Sequence, residues 1–298
     1  MPVKLLKLIL FLKIILPLFA VSGLVTSAYA AERRYMAPME ASRWVMTSSS
    51  GVYCEMEHNI PRFGKAVFSQ SAGRELQLKL VTHERFMSGL GVEFRSESPI
   101  WKPIESQLDL ASLETTGKGS LLNIPTTTAK YAYLQLQDGY QPGFFFFENE
   151  NRFDSMIVSM STVRFRSIEP EFEQCLTALH HKNFDDISLA SIHFDNDDEF
   201  PRIEEEDIAL KPMLDYLQVD KEISKIVIAG HADMNGTECY NETLSARRAW
   251  YVYDMLISSG IDPKLIRVEF YGEGKPLKQG DSDLALAANR RVNVQLHR

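Results

Sequence analysis

The spacing of apolar residues changes near residue 169, and this change constrains the fold more than any other feature of the sequence. Before it, short segments such as residues 74–80 alternate polar and apolar side chains, which is the pattern of a strand with one buried face. After it, apolar strands alternate with amphipathic helices. A chain of 298 residues with 45% apolar content can bury two cores. The sequence therefore predicts two domains.

The first domain is predicted to be all-β and to span residues 31–180. Alternating segments at residues 91–95 and 130–137 predict two further strands, and residues 156–166 predict one more strand or a pair. Glycine and proline turns separate these segments. Short strands connected in this way are typical of an antiparallel barrel or sandwich.

Four consecutive phenylalanines at residues 144–147 allow two interpretations. One is a surface that meets a membrane or a partner. The other is a strand buried on both faces, which reads as a continuous apolar run. We favour the buried strand.

The second domain is predicted to be an α/β sandwich over residues 184–298. The predicted strands lie at residues 187–195, 223–230, 265–271 and 291–296, and the helices between them lie at residues 203–217, 244–259 and 284–288, the last of which is short. This βαβαβ(α)β order predicts helices on one side of a sheet. A short helix at residues 169–181 and a polar junction after it are predicted to connect the two domains.

The first 30 residues have the pattern of a secretory signal peptide. Lys4 and Lys7 precede an apolar run over residues 8–25, and Ala28 and Ala30 form a small-x-small cleavage site. An uncleaved membrane anchor is the alternative. The cysteine that anchors a bacterial lipoprotein does not follow the cleavage site. We therefore expect export to the periplasm as a soluble chain.

The charge of the chain argues against one class of partner. The formal net charge is −8, and because residues 1–30 contain three lysines and no acid, residues 31–298 carry −11. Phosphate backbones repel such a chain, so general binding to nucleic acid is not expected.

Three cysteines, Cys54, Cys175 and Cys239, allow one disulfide and one free thiol. Export places them where a disulfide can persist. The sequence leaves all three pairings open, but Cys54 and Cys175 both lie in the predicted first domain. We favour that pair.

Four motifs in the second half occur in a recognisable order. They are Ile-Ala-Gly-His-Ala-Asp-Met-Asn-Gly at 228–236, Asn241 with Leu-Ser-Ala-Arg-Arg-Ala at 244–249, Phe-Tyr-Gly-Glu at 270–273 and Asn-Arg-Arg-Val at 289–292. Together they resemble the OmpA-like peptidoglycan-binding domain family. Two positions depart from the usual pattern, because Ala232 stands where the family often has Thr and Asp197 where it often has Asn.

The charged residues in these motifs suit a zwitterionic ligand. A peptide stem of the cell wall presents an ammonium and a carboxylate close together, which require an acceptor and a planar pair of donors. Asp233 is predicted to bind the ammonium and Arg248 the carboxylate. Arg248 lies on the apolar stripe of its helix, where an internal salt bridge is the alternative role, whereas Arg247 points away. By resemblance to the family, Asn241 and Arg290 support the site.

Two enzymatic or metal-binding interpretations are weaker. His231, Asp233 and Glu238 have the residue types of metal ligands, but no further histidine is suitably spaced. Ser245 with His231 and Asp233 has the composition of a catalytic triad, without a nucleophile elbow or an oxyanion signature. We predict a binding protein with no catalytic residues, no metal and no cofactor.

The first domain carries a second resemblance. Trp44, the segment Cys-Glu-Met-Glu-His-Asn-Ile-Pro-Arg-Phe-Gly at 54–64 and Ala-Val-Phe at 66–68 are similar to the MotY family of sodium-driven polar flagellar motors. This resemblance implies a T ring around the flagellar basal body, association with MotX, and indirect support of the PomA/PomB stator complex. The competing hypothesis is an OmpA-type outer-membrane protein in which residues 31–168 form a transmembrane barrel.

Overall fold

The computed structural model describes residues 33–83, 88–102, 107–116, 121–148 and 151–298. The predicted signal peptide, residues 1–30, lies outside the described residues.

The N-terminal domain contains ten strands and two helices within these ranges: β1 (Arg33–Tyr35), β2 (Trp44–Ser49), β3 (Tyr53–Ile60), β4 (Gly64–Ser71), β5 (Gln77–Thr82), β6 (Ser88–Glu97), β7 (Gln107–Thr116), β8 (Leu121–Ile124), α1 (Thr126–Gln137), β9 (Gln141–Glu148), β10 (Asn151–Ser159) and α2 (Phe165–Ala178).

The N-terminal strands form two five-stranded sheets, with the orders β2-β3-β4-β5-β8 and β1-β10-β9-β6-β7. Neighbouring strands are antiparallel, except that β1 runs parallel to β10. Among the described strands both sheets are open. The predicted fold class of the domain is confirmed, and of its two predicted forms the structure has packed sheets rather than a closed barrel.

One core fills the space between the two sheets and the two helices. The rings of Phe94 and Phe144 stack with their centroids 4.2 Å apart. Trp44 stacks on His58 at 4.6 Å and meets Phe165 edge to face. Phe144, Phe145 and Phe146 are all buried on β9, as expected for a strand with two covered faces.

The strand predicted at residues 130–137 is wrong, because this segment belongs to α1. Its apolar residues satisfy a period of two and also a helical period, with Ala129, Ala132, Tyr133 and Leu136 buried along one face. The segment has no β-branched residue to favour a strand. The strand predicted over residues 156–166 also ends early, at Ser159, and α2 begins at Phe165.

A disulfide joins Cys54 on β3 to Cys175 on α2, with the Cα atoms 6.0 Å apart. It fixes the last turns of α2 to the sheet beneath it. Cys239 is free and exposed.

The C-terminal domain has the predicted alternation of strands and helices. Its elements are α3 (Phe184–Ile187), β11 (Leu189–His193), α4 (Ile203–Val219), β12 (Lys225–Gly230), α5 (Glu238–Ser258), a 3-10 turn (Pro263–Leu265), β13 (Ile266–Phe270), α6 (Asp283–Asn289) and β14 (Arg291–His297). The sheet order is β11-β14-β12-β13, with only the β12–β13 pair parallel. None of the described helices has the length and apolar character needed to span a membrane.

The two domains contact each other through a joint at residues 180–184. The N–H of His180 donates to the carbonyl of Gly51 at 2.8 Å, and the N–H of Gly73 donates to the carbonyl of His180 at 3.1 Å. Gly73 has φ 62° and lies against the backbone of Asn183, so a side chain there would be both strained and obstructed. Ala72 packs into the core of the C-terminal domain.

Candidate functional site

The antiparallel pairing of β12 and β14 brings two of the predicted site residues together. The end of β12 lies beside the start of β14, so Asp233, three residues after β12, meets Arg290, the residue before β14. Nη1 of Arg290 lies 2.9 Å from Oδ2 of Asp233, and both side chains are largely buried. The other carboxylate oxygen of Asp233 accepts the N–H of Asn235 at 3.0 Å. Arg290 is therefore the counterion of Asp233 in this structure.

Arg248 lies on the buried face of α5 and has 0% exposure. Its guanidinium donates to three backbone carbonyls: Nε to Asp198 at 2.7 Å, Nη1 to His231 at 3.3 Å and Nη2 to Asp195 at 3.2 Å. The ring of Phe194 lies 4.9 Å from its central carbon. Burial lowers the pKa of Arg248 to about 10, and the charge of Asp233 opposes this shift. Arg248 remains a cation at neutral pH.

Asn241, in the first turns of α5, is 1% exposed and completes the predicted group. Its side-chain amide donates to Oε2 of Glu273 at 2.5 Å. Glu273 follows β13 and was not predicted as a site residue, although it belongs to the Phe-Tyr-Gly-Glu motif. The structure thus gathers Asp233, Asn241, Arg248 and Arg290 at one end of the sheet and adds Glu273 to them.

Arg247 occupies the position expected from helical geometry, outside the buried stripe. Its side chain is 64% exposed, and Nη1 lies 3.4 Å from Oε2 of Glu199. Arg247 and Arg248 are therefore adjacent on α5, but only Arg248 faces the site.

The residues of the suggested triad have other roles in the structure. The hydroxyl of Ser245 donates to the carbonyl of Glu242 at 2.8 Å and accepts the N–H of Gly272 at 2.9 Å, so it connects α5 to the loop after β13. Burial, followed by the charges of Arg291 and Lys275, lowers the pKa of His231 to about 4. Within the described ranges, no group of three or more His, Cys, Asp or Glu side chains is placed to hold a metal ion.

Comparison with known proteins matches both halves of the chain. Residues 35–180 match the family described as MotY N-terminal domain, and residues 198–290 match the OmpA family. The sodium-type flagellar protein MotY of Vibrio parahaemolyticus is 27% identical over 269 residues, which cover 89% of this chain and 91% of that protein.

Shorter similarities lie within the C-terminal domain. Outer membrane porin F of Pseudomonas fluorescens is 36% identical over 73 residues, 24% of this chain and 22% of that protein. The crystal structure of the peptidoglycan-associated lipoprotein from Burkholderia pseudomallei is 27% identical, with a TM-score of 0.33, and covers 36% of this chain and 90% of that one.

Proposed function

We propose that this chain, which carries a MotY N-terminal domain joined to an OmpA-family domain, is a non-enzymatic anchor of the flagellar motor that binds peptidoglycan in the periplasm. The C-terminal domain, residues 184–298, would bind the wall. The N-terminal domain, residues 31–180, would associate with the basal body and with MotX. The assembled ring would fix the PomA/PomB stators in place.

The observation that carries the wall-binding proposal is the convergence of one carboxylate and two guanidinium groups at one end of the sheet. Asp233 would accept hydrogen bonds from the ammonium of the stem peptide, replacing those from Arg290. Arg248 uses three of its five N–H groups on carbonyls, which leaves one on each terminal nitrogen for a carboxylate. The ligand ammonium would thus pair with Asp233 and the ligand carboxylate with Arg248.

The test is co-sedimentation of the full chain with purified sacculi. Arg248→Ala should weaken binding by roughly ten- to a hundredfold, because a hydrogen bond to a charged group contributes about 1.5–3 kcal/mol. Arg248→Lys should fail nearly as badly, since lysine keeps the charge but loses the planar pair of donors. Arg247→Ala is the matched control and should bind like the parent.

Arg248 also bonds three backbone carbonyls, so folding must be checked by circular dichroism. Asp233→Asn supplies an independent variant that keeps the shape of the side chain and removes its charge. Normal binding by folded Arg248→Ala and Asp233→Asn would place the site elsewhere. If wall binding and motor attachment belong to different domains, Arg248→Ala should still copurify with flagellar basal bodies.

The arrangement of many copies suits this role. A ring that presents one weak wall site per copy gains avidity through effective concentration, provided that the sites can engage together. The joint between the domains supports transmission of force, because Ala72 of the N-terminal domain packs in the second core and Arg74 pairs with Asp185 at 3.4 Å.

A further inference from the structure

The proposed wall site is closed in this structure. Exposure is 0% for Arg248, 1% for Asn241 and 5% for Asp233. A ligand carboxylate cannot reach a guanidinium with no exposed atoms. If Arg248 binds the wall, some part of the protein has to move first.

The segment over Arg248 is the loop between β11 and α4, residues 195–200, which we name the cover loop. Two of its carbonyls, those of Asp195 and Asp198, occupy Arg248. All but one of its residues are exposed, and Asp197 has φ 60°, a left-handed conformation that is uncommon for residues other than glycine. The loop belongs to neither a sheet nor a helix, and an isolated β-bridge between Phe194 and Pro201 pairs the residues on its two sides.

A side chain at the start of α5 holds the cover loop from outside, because the hydroxyl of Tyr240 donates to Oδ1 of Asp197. Further along the helix, Arg247 lies 3.4 Å from Glu199, but the two side chains are 64% and 37% exposed, and such a solvent-exposed ion pair contributes little to holding the loop. Tyr240 is itself 46% exposed, so burial does not fix its ring. Its hydrogen bond with Asp197 can therefore break and re-form, as a latch on the loop would.

We propose that the cover loop is a lid on the wall site, and that the hydrogen bond between Tyr240 and Asp197 keeps the lid closed until the ligand displaces it. This inference rests on the proposed wall-binding function. Tyr240 and Asp197 act as positioning residues, since they control access to Arg248 without touching the ligand.

The ligand supplies the free energy for opening because it brings a charged acceptor to Arg248. In the closed state the acceptors are neutral carbonyls, two of them from the cover loop. Once the loop has moved, a carboxylate binds the guanidinium through two parallel hydrogen bonds with charge on both partners, which are stronger than bonds from the same guanidinium to neutral carbonyls. A ligand shifts a two-state equilibrium only through such a difference in affinity, so every interaction that stabilises the closed lid lowers the apparent affinity for the wall.

The experiment measures binding of full-length variants to a soluble stem peptide that ends in a diamino acid, by isothermal titration. Tyr240→Phe removes the latch hydroxyl and keeps the ring. We expect it to bind about fivefold more tightly, the effect of one hydrogen bond of roughly 1 kcal/mol. Asp197→Ala should act in the same direction. Because both changes break the same bond, the double variant should gain little beyond either single one.

Tyr253→Phe is the matched control, because Tyr253 lies further along α5 and contacts Trp250; it should bind like the parent. Amide hydrogen exchange in residues 195–200 should also be faster in Tyr240→Phe. Weaker binding by Tyr240→Phe would mean that the ring hydroxyl contacts the ligand, and unchanged binding would mean that it does not hold the loop. Either result overturns the lid. If the proposed wall site itself is wrong, folded Arg248→Ala should instead bind like the parent.

Discussion

Removal of the Cys54–Cys175 disulfide should destabilise the N-terminal domain and leave the C-terminal domain unaffected. The perturbation is the double substitution Cys54→Ala and Cys175→Ala, which avoids leaving a buried thiol without a partner. Both cysteines are buried in the N-terminal core, so alanine preserves the apolar character of the site. The matched control is Cys239→Ser, because Cys239 is free and exposed.

The magnitude follows from the separation of the two cysteines along the chain. The bond closes a loop of 121 residues, and in the chain-entropy model this constraint on the unfolded chain contributes about 5 kcal/mol. Measured values are often lower, so we expect a loss of about 3–5 kcal/mol. Since whole domains are stable by about 5–15 kcal/mol, this loss removes a large part of the stability of the N-terminal domain.

The assay is urea unfolding followed by two signals. Trp44 is buried in the N-terminal core, whereas Trp101 and Trp250 are about half exposed, so the change in tryptophan fluorescence reports mainly on the N-terminal domain. Far-UV circular dichroism adds the unfolding of α4 and α5 in the C-terminal domain. In the double variant, the fluorescence transition should move to lower urea while the second transition stays in place.

Chemical mapping decides the pairing itself. In the native oxidised protein, a maleimide should label only Cys239, and a non-reducing digest should yield a peptide that joins Cys54 to Cys175. A cross-link from Cys239 to either of them would refute the pairing. A loss of less than about 1 kcal/mol in the double variant would refute the argument from loop closure.

Two further predictions concern stability. Burial lowers the pKa of His58 to about 4, so between pH 6.5 and 4 the unfolded chain binds a proton that the folded chain does not. The N-terminal domain should therefore lose roughly 3 kcal/mol of stability as the pH falls from 6.5 to 4. His58→Gln should flatten the pH dependence of the urea midpoint of this domain. Gly230→Ala should destabilise the C-terminal domain by at least about 2 kcal/mol, because the new Cβ would lie 2.1 Å from the carbonyl oxygen of Ser245. Gly260→Ala, where φ is 88° and the space is open, should cost only about 1 kcal/mol; equal losses in thermal or urea unfolding would contradict the steric argument.

The C-terminal fold was predictable because its signals agree with one another. Apolar strands, amphipathic helices and glycine stops all indicate the same βαβαβ(α)β order. Residues 130–137 had no such agreement, since Tyr131 and Tyr133 alternate with period two whereas Ala132, Tyr133 and Leu136 share one helical face, and packing against the core decides between them. The joint at His180 was also unpredictable in detail, because it depends on backbone contacts with Gly51 and Gly73, which are distant in sequence.

The sequence predicted that the candidate residues lie near one another, but it did not predict what they contact in the structure. The apolar stripe of α5 identified Arg248 rather than Arg247 as the inward residue, and the structure agrees. No pattern in the sequence indicates that three carbonyls occupy Arg248 or that Arg290 already neutralises Asp233. Two of the three carbonyls belong to residues 195–200, and a segment without apolar periodicity gives no signal for its path.

Strand β14 runs from the proposed wall site to the joint with the N-terminal domain. β14 begins next to Arg290, at the proposed wall site, and ends next to Arg298, whose guanidinium bonds Asp220 and Tyr216 at the joint with the N-terminal domain. Between these ends β14 spans roughly 25 Å and is paired with β11 on one side and β12 on the other. Tension applied at the proposed wall site would enter the sheet near the start of β14 and pass through ladder hydrogen bonds to β11, the strand that follows the covalent connection to the N-terminal domain.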